Sequence, residues 1–184
     1  MPLPECTRLS IGDDRLYVEP VGTGWREIEV LETYFRDMKD VVGPVRDDEI
    51  VDLVCIAMSA FTEDRLHADP MVPKETADAA KAKWVVDACA DYHRSVYVYR
   101  VDGKPAAFIS IAFEEKRGYR VDLLAVAESH WDKGIGKALL LYACGQKNIS
   151  NLWAGTQSTN GPAKRLYESL GMTVVKRERT FHRP

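Results

Sequence analysis

The sequence predicts a mixed α/β fold in which a central, mostly antiparallel sheet is flanked by helices. A strong β-hairpin signal lies in the middle of the chain and is followed by a third strand-like segment. The second half then alternates between helix-like and strand-like segments. Hairpins produce antiparallel strand pairs and strand–helix–strand crossovers produce parallel ones, so together they predict a mixed sheet with helices on its faces.

The N-terminal part of the chain is predicted to be an elaboration of that fold, covering residues 1–46. Residues 15–21 (RLYVEPV) resemble a short strand, and residues 25–38 fit a helix or a helix with a loop. Loop-forming residues occur at Gly43 and Pro44 and again over residues 68–73. We expect residues 1–184 to form one domain, because a chain of this length buries most of its unfolded surface around one core.

Two helices are predicted before the hairpin. Residues 47–61 begin with acidic side chains and continue with apolar residues at helical spacing, and residues 74–90 place their apolar side chains on one side of a helix. The hairpin follows, with strands at residues 95–101 and 104–115. An Asp-Gly pair at position 102 joins them and is typical of a two-residue hairpin turn.

The remaining elements follow from alternating apolar patterns and from glycine or asparagine at their boundaries. They are a strand at 119–127, a helix at 134–146, a strand at 151–156, a helix at 161–170 and a strand at 173–182.

Composition excludes several classes of protein. The chain is 46% hydrophobic and 29% charged with a net charge of −3, and no stripe of Lys and Arg indicates a nucleic-acid partner. No apolar run is long enough to span a membrane, and the first residues lack a signal-peptide pattern, so we expect a cytoplasmic protein. The four cysteines are scattered, which predicts reduced and mostly buried thiols with no metal site and no disulfide framework.

A glycine-containing loop at "HWDKGIGKALL" lies between a predicted strand and a predicted helix. Such a loop directs free backbone N–H groups and the positive end of the helix dipole at one point, which attracts a phosphate group. Gly134 and Gly136 would permit either this approach or simply close packing of the helix. A dinucleotide fingerprint would need a glycine where Leu139 stands, and a Walker loop would need Ser or Thr where Ala138 stands.

The stretches "LLAVAESHWDKGIGKALL" and "TQSTNGPAKRLYESLGM" resemble the GNAT superfamily of N-acetyltransferases. The family pattern, a Leu-x-Val strand before a Q/R-x-x-G-x-G/A loop, is matched at Leu124, Val126, Gly134 and Gly136. Trp131 departs from it, since Gln or Arg is usual there. The resemblance implies a GNAT fold, with an opening between the fourth and fifth strands that holds the pantetheine arm of acetyl-CoA, the co-substrate.

Residues expected to bind acetyl-CoA follow from the same resemblance. They are Leu124, Ala125, Val126, Trp131, Asp132, Lys133, Gly134, Ile135, Gly136, Lys137, Asn160 and Ala163. Backbone groups of residues 124–126 would pair with the pantetheine arm, and one N–H of this strand would stabilise the thioester oxygen. Lys133 and Lys137 would add positive charge near the pyrophosphate.

Catalysis is expected to involve Tyr167 as the proton donor to the departing thiolate. Asn160 and Tyr167 are seven residues apart, which puts them on the same side of one helix. Asp122 is the candidate base, because in a regular strand it would share a face with Leu124 and Val126. Glu114, Glu115 or water are the alternatives for accepting the proton of the amine.

The acceptor is expected to be a small molecule with a primary amine, with no nucleic acid and no membrane as partner, and a homodimer is left open. The segment "FTEDRLHADPMVP", with Thr156, Gln157 and the end of the chain, is similar to GNAT enzymes that acetylate nucleotide-linked amino sugars. On this resemblance Arg65, His67 and His182 would bind the acceptor. A peptide, another small amine, or a non-catalytic acyl-CoA-binding module are the alternatives.

Overall fold

The structure, a computed structural model, describes residues 41–61, 64 and 66–179. The strand predicted at 15–21 and the helix predicted at 25–38 lie outside the described residues, as do Arg65 and His182.

The described chain alternates between strands and helices in the order that the sequence predicts for its central part. The elements are β1 (Val42–Pro44), α1 (Ile50–Ala60), α2 (Lys74–Ala90), β2 (Arg94–Val101), β3 (Lys104–Glu114), β4 (Gly118–Val126), α3 (Ile135–Lys147), β5 (Leu152–Ala154) and α4 (Gly161–Glu168). A short 3₁₀ turn, Asp47–Glu49, leads into α1. None of the helices in the described part of the chain combines the length and the apolar character needed to cross a bilayer.

The five strands form one sheet in the order β1-β2-β3-β4-β5. Neighbouring strands from β1 to β4 are antiparallel, and β4 and β5 are parallel. The hairpin turn is the one predicted, because Asp102 and Gly103 both have positive φ angles, 51° and 77°. A turn with two left-handed residues matches the twist of the strands that it joins. The predicted mixed, mostly antiparallel sheet is confirmed.

Helices cover both faces of the sheet. On one face, α1 and α2 pack on Val96, Val98, Phe108 and Ala125. On the other face, α3 packs on Ile109, Ile111 and Val121, with Tyr167 and Leu170 at the edge of the same cluster. Because both faces are covered, the middle of β3 is buried on consecutive residues from Ala106 to Ala112 rather than on alternate ones.

A buried ion pair ties the start of α1 to the sheet. Arg100 on β2 donates from Nε to Glu49 Oε1 at 2.5 Å and from Nη2 to Glu49 Oε2 at 2.7 Å. The same Nη2 donates to the carbonyl of Pro44 on β1 at 2.9 Å. Both charged side chains are buried, with exposed fractions of 2% for Arg100 and 7% for Glu49. This pair therefore joins β1, β2 and α1 at one point.

Three predictions about the fold differ from the structure. Residues 42–44 form an edge strand where only a loop is predicted, and Pro44 is tolerated there because an edge strand has one unpaired side. The strand predicted at 173–182 is wrong over residues 173–179, which the structure shows as irregular chain with Val175 90% exposed. Cys55 is exposed rather than buried, and Cys6 lies outside the described residues.

Candidate active site

The edge of β4 that faces β5 is only partly paired. The two strands pair at three positions, from Tyr119 with Leu152 to Val121 with Ala154, and β5 ends there. β4 continues to Val126, so its last five residues have no β5 neighbour. This is the arrangement that an opening between the fourth and fifth strands requires.

Backbone groups of Leu124 and Val126 face this open edge. Ala127 donates its N–H to the carbonyl of Ala106, so the backbone of Ala127 points toward β3. In an antiparallel pair successive residues point alternately toward and away from the partner strand, so Leu124 and Val126 point away from β3. The indole Nε1 of Trp131 donates to the Val126 carbonyl at 2.7 Å, which places this indole across the end of β4.

Asp122 is the extra residue of a β-bulge. Ser110 and Ile111 are consecutive on β3, but their partners on β4 are Leu123 and Val121. The bulge shifts the alternation, so that Val121 and Leu124 both pack on the α3 face. They are three positions apart in sequence, and a regular strand would place them on opposite faces. Asp122 instead lies beside Leu123, which packs on the α1–α2 face. The expectation that Asp122 shares a face with Leu124 and Val126 is wrong, because a regular alternation was assumed.

The start of α3 presents uncapped backbone donors. Gly134 is its N-cap with φ of 73°, and no side chain among the described residues caps this end. Within the helix, the N–H of Ala138 donates to the carbonyl of Gly134 at 3.0 Å. The three preceding N–H groups, of Ile135, Gly136 and Lys137, are those that a helix leaves without an intrahelical partner. An anion in front of them would satisfy them and the positive end of the helix dipole.

Gly134 and Gly136 have different surroundings in this loop. A Cβ on Gly134 would meet nothing within 4 Å, so the requirement at this position is its left-handed backbone. A Cβ on Gly136 would lie 3.5 Å from Leu166 and 3.8 Å from Val126. These are ordinary van der Waals distances, so alanine would fit at this position, and only a longer side chain would push α3, α4 and the end of β4 apart.

Charged side chains near this loop are exposed. Lys133 donates to the carbonyl of Ser129 at 2.9 Å, and Lys137 lies on the solvent side of the first turn of α3. Asp132 has a positive φ of 57°, so two of the three residues before α3 are left-handed. Lys133 and Lys137 can thus contribute positive charge at the helix end without being buried.

Asn160 and Tyr167, which the sequence predicts to be site residues, lie at the start of α4 and within it. Asn160 is its N-cap and accepts the N–H of Ala163 through Oδ1 at 3.1 Å, so the side chain has a capping role in the structure. Tyr167 is half-buried and packs with Leu124 and Val126 against the α3-face core. Burial raises the pKa of the Tyr167 hydroxyl above its usual value, which keeps the proton on the oxygen at neutral pH.

His67 does not face an open site. Its Nδ1 lies 2.5 Å from Asp64 and its Nε2 lies 3.0 Å from Asp78, and the side chain is 9% exposed. Lys81 also contacts Asp64, at 3.0 Å. The expectation that His67 binds the acceptor is therefore not supported by its position, because both ring nitrogens are occupied in holding the loop before α2.

A small cavity opens on the α1–α2 face beside the bulge. It has a volume of about 260 Å³ and is lined by Trp84, Arg94, Asp122 and Leu123. A neighbouring cavity of about 270 Å³ shares Arg94 but has no lining residue from β4. Sequence reasoning missed Trp84 and Arg94 as site residues, since no local pattern relates them to residue 122.

Both oxygens of Asp122 are paired. Arg94 Nη1 lies 2.7 Å from Oδ2, and Arg120 Nη2 donates to Oδ1 at 2.8 Å. Arg120 also contacts Glu114, through Nη1 at 2.9 Å. Two of the three carboxylates proposed from the sequence as possible bases, Asp122 and Glu114, are thus held in one network by the same arginine.

Comparison with known proteins identifies the family. The sequence model of the acetyltransferase (GNAT) family matches residues 53–172, well over half of the chain. Among proteins with curated functions, none matches this sequence significantly.

Solved structures share the fold at low sequence identity. The PaiA N-acetyltransferase from Thermoplasma acidophilum, in complex with coenzyme A, has 16% identity and a TM-score of 0.62, covering 74% of this chain and 91% of its own. An aminoglycoside 6'-N-acetyltransferase from Acinetobacter haemolyticus has 14% identity and a TM-score of 0.57, covering 78% and 97%. A ribosomal-protein-alanine N-acetyltransferase from Brucella melitensis has 17% identity and a TM-score of 0.55, covering 77% and 97%.

These likenesses support the architecture, and the sequence match over β4, α3 and α4 supplies the family. The open edge of β4, the uncapped start of α3 and Tyr167 on α4 all lie within the matched residues. The chain belongs to the acetyltransferase (GNAT) family.

Proposed function

We propose that this protein transfers the acetyl group of acetyl-CoA directly to a primary amine. The observation that carries the proposal is the position of the uncapped start of α3 next to the open edge of β4. A Cβ on Gly136 would lie 3.8 Å from a side-chain carbon of Val126, so the two features are neighbours in the fold. A phosphate site and an extended backbone edge side by side suit a molecule with a pyrophosphate and a long amide-containing arm.

The residues present fit acetyl-CoA, which supplies an activated acetyl group as a thioester. The N–H groups of Ile135, Gly136 and Lys137 would hold the pyrophosphate, with Lys133 and Lys137 nearby. Residues 124–126 would pair with the pantetheine arm along the open edge, and a backbone N–H there would stabilise negative charge on the carbonyl oxygen. For Asn160 we propose that the cap holds α4 in position beside this arm.

Tyr167 is proposed to protonate the leaving thiolate. The amine nitrogen forms a bond to the acetyl carbon, the C–S bond breaks, and the sulfur takes a proton from the hydroxyl. Tyrosine is protonated at neutral pH already at its ordinary pKa of about 10, and burial raises the pKa of Tyr167 further, so proton donation here depends on how the hydroxyl is positioned. Tyr167 packs against the same buried cluster as Leu124 and Val126, so its side chain lies on the α3 side of the open edge.

Asp122 remains the proposed acceptor of the amine proton, but from the α1–α2 face. It borders the cavity with Trp84 and Leu123, which gives an amine a route to β4 on that side. Its pairing with Arg94 and Arg120 means that a proton would pass through a water or follow a shift of Arg94. Glu114, Glu115 or water alone are the alternatives. Water can suffice because an amine with a pKa near 8 already has a neutral fraction of several per cent at pH 7.

The acceptor proposed in finer detail is an amine on a nucleotide-linked sugar. With His67 occupied by Asp64 and Asp78, this proposal depends on Arg65 and His182, which lie outside the described residues. Related structures carry names that refer to aminoglycosides and to ribosomal-protein alanine, so amines of very different shape are accepted on this fold.

A thiol-release assay with acetyl-CoA and a panel of amines tests the proposal. The panel includes TDP-linked amino sugars, peptides with a free N-terminus, polyamines and aminoglycosides. We expect CoA release that depends on one of these classes, with binding of acetyl-CoA measured separately by calorimetry. Tight binding without release for any amine would favour a non-catalytic acyl-CoA-binding module, and absence of binding would contradict the proposal.

A further inference from the structure

Arg94 occupies a position that the proposed reaction does not explain. It is the first residue of β2 and bridges the end of α2 to β4, with Nε 3.1 Å from Asp91 and Nη1 2.7 Å from Asp122. Its side chain is 26% exposed and lines the cavity beside the bulge. A partly exposed guanidinium in the wall of a substrate cavity is able to contact what enters it.

Each charged side chain in the network around this cavity already has a partner of opposite sign. Asp91 and Asp122 pair with Arg94, and Arg120 pairs with Asp122 and Glu114. A polycationic acceptor would need to take a carboxylate from one of these arginines. The guanidinium left behind, partly shielded from water, would then lose one of its two carboxylate partners, which is unfavourable.

The buried side-chain atoms without a partner among the described residues are two N–H donors and the hydroxyl of Ser110, which can donate as well as accept. Nε of Arg120 and Nε1 of Trp153 are buried, and no described residue supplies an acceptor to either. The two residues are partners across β4 and β5, and the Arg120 guanidinium lies 5.4 Å from the centre of the Trp153 ring. A face with surplus donors and paired carboxylates favours a ligand that brings oxygen acceptors.

Arg94 and Asp122 together suit a ligand with two opposite groups. If the acceptor carries a carboxylate or phosphate close to its amine, the anion replaces Asp122 as the partner of Arg94 while the amine approaches the released carboxylate. No charge is then left unpaired. Trp84, in the same wall, offers a flat apolar surface for the carbon skeleton between the two groups.

We propose, on the basis of the acetyltransferase function above, that Arg94 makes this enzyme select amines that carry an anionic group next to the amine. The anion is either a carboxylate, as in an amino acid, or a phosphate, as in a phosphorylated or nucleotide-linked amino sugar. Planar guanidinium groups bind both through paired, charge-assisted hydrogen bonds.

Matched acceptor pairs test this selection in the full-length protein. One arm compares amino acids with their amides, and the second compares phosphorylated or nucleotide-linked amino sugars with the free amino sugars. A polyamine and an aminoglycoside serve as cationic comparisons. We expect the anionic member of one arm to have a kcat/KM about 10- to 100-fold higher than its neutral partner, and the arm that shows the preference identifies the anion.

Variants assign the preference to Arg94. Arg94→Met should remove most of it through a higher KM for the anionic acceptor, and Arg94→Lys, which keeps the charge, should retain part of it. Lys83→Met is the control, because Lys83 is an exposed cation on α2 that pairs with Asp87 away from the cavity. Circular dichroism and thermal unfolding show whether each variant folds. If Arg94→Met does not fold, the acceptor preference is compared between the wild type and Arg94→Lys.

The outcomes separate this inference from the proposed function. Equal turnover of anionic and neutral partners, preference for the polycations, or an unchanged preference in a folded Arg94 variant would overturn the role of Arg94 and leave the acetyltransferase function standing. If no amine of any kind is turned over although acetyl-CoA binds, both are overturned.

Discussion

Leu166 of α4 lies beside Gly136 of α3: a Cβ on Gly136 would lie 3.5 Å from Cδ2 of Leu166. This distance is an ordinary van der Waals contact, so the helices are as close as a side chain one carbon long would allow. The contact fixes the start of α3, where the pyrophosphate is proposed to bind, relative to α4, which carries Tyr167. Binding and proton donation are therefore linked through packing.

Lengthening the side chain at residue 136 should impair both functions together. Gly136→Ala should fold normally and keep most activity, because its Cβ has room. Gly136→Leu should push α4 away from α3 and reduce both acetyl-CoA affinity and turnover, with overpacking costing about 1–3 kcal/mol of stability. Calorimetry, steady-state kinetics and urea unfolding of the two variants check this, and similar behaviour of Ala and Leu would contradict it.

Gly134→Val should weaken acetyl-CoA binding by about tenfold or more while the fold is retained. The φ angle of 73° is unfavourable for a β-branched residue, and such strain costs on the order of 1–3 kcal/mol or turns the N–H groups away from the phosphate. Gly145→Ala within α3 is the matched control, because its Cβ meets open space and the position has no positive φ. Equal acetyl-CoA affinities of the wild type and both variants by calorimetry would contradict a phosphate site at this loop.

Tyr167→Phe should lower kcat by roughly 10²- to 10⁴-fold and leave acetyl-CoA affinity nearly unchanged. The ring continues to pack against the α3-face core, and only the hydroxyl proton is lost. Steady-state kinetics with the best acceptor of the panel, beside calorimetry, measures both quantities. Normal turnover would mean that Tyr167 is a packing residue and that the proton comes from elsewhere.

Arg100→Met should destabilise the protein by about 3–5 kcal/mol, because it leaves the buried Glu49 carboxylate without its partner. Arg46→Met removes a cation that is 57% exposed and 4.0 Å from the same carboxylate, and should cost less than about 1 kcal/mol. Urea unfolding at neutral pH compares the two. Similar losses would show that the bidentate pair contributes no more than a surface contact.

Stability should also fall with rising pH because of His67. Hydrogen bonds to Asp78 and then to Asp64 raise the pKa of His67 against the opposing effect of burial. A group whose folded pKa is raised stabilises fully below its unfolded pKa, about 6.5, and this contribution is lost as pH rises through the folded value. The pKa values of Asp64 and Asp78 are lowered, so both stay ionised over this range.

His67→Gln supplies the comparison for that dependence, since glutamine does not titrate. Between pH 6 and 9 the free energy of unfolding of the wild type should decrease relative to that of the variant, measured by urea unfolding at each pH. Parallel curves for the two proteins would show that folding does not raise the pKa of His67.

Local patterns were sufficient for much of the fold. The bounds of α2 agree with the prediction at both ends, and the turn at Asp102 and Gly103 follows from two residues that tolerate left-handed angles. The glycine loop before α3 also follows from sequence, because a helix start with Gly134 as cap needs only neighbouring residues. In each case the determining interactions span a few residues, and the sequence displays them directly.

Tertiary packing decided what distant residues do. The bulge at Asp122 depends on the register between β3 and β4, and it moved this side chain to the α1–α2 face next to Arg94. The sequence predicts that His67 binds the acceptor, because its carboxylate partner Asp78 on α2 is eleven residues away. The two side chains come together only in the folded chain. The segment 173–179 has strand-like composition but is irregular in the structure, since a strand requires a hydrogen-bonded neighbour that composition cannot supply.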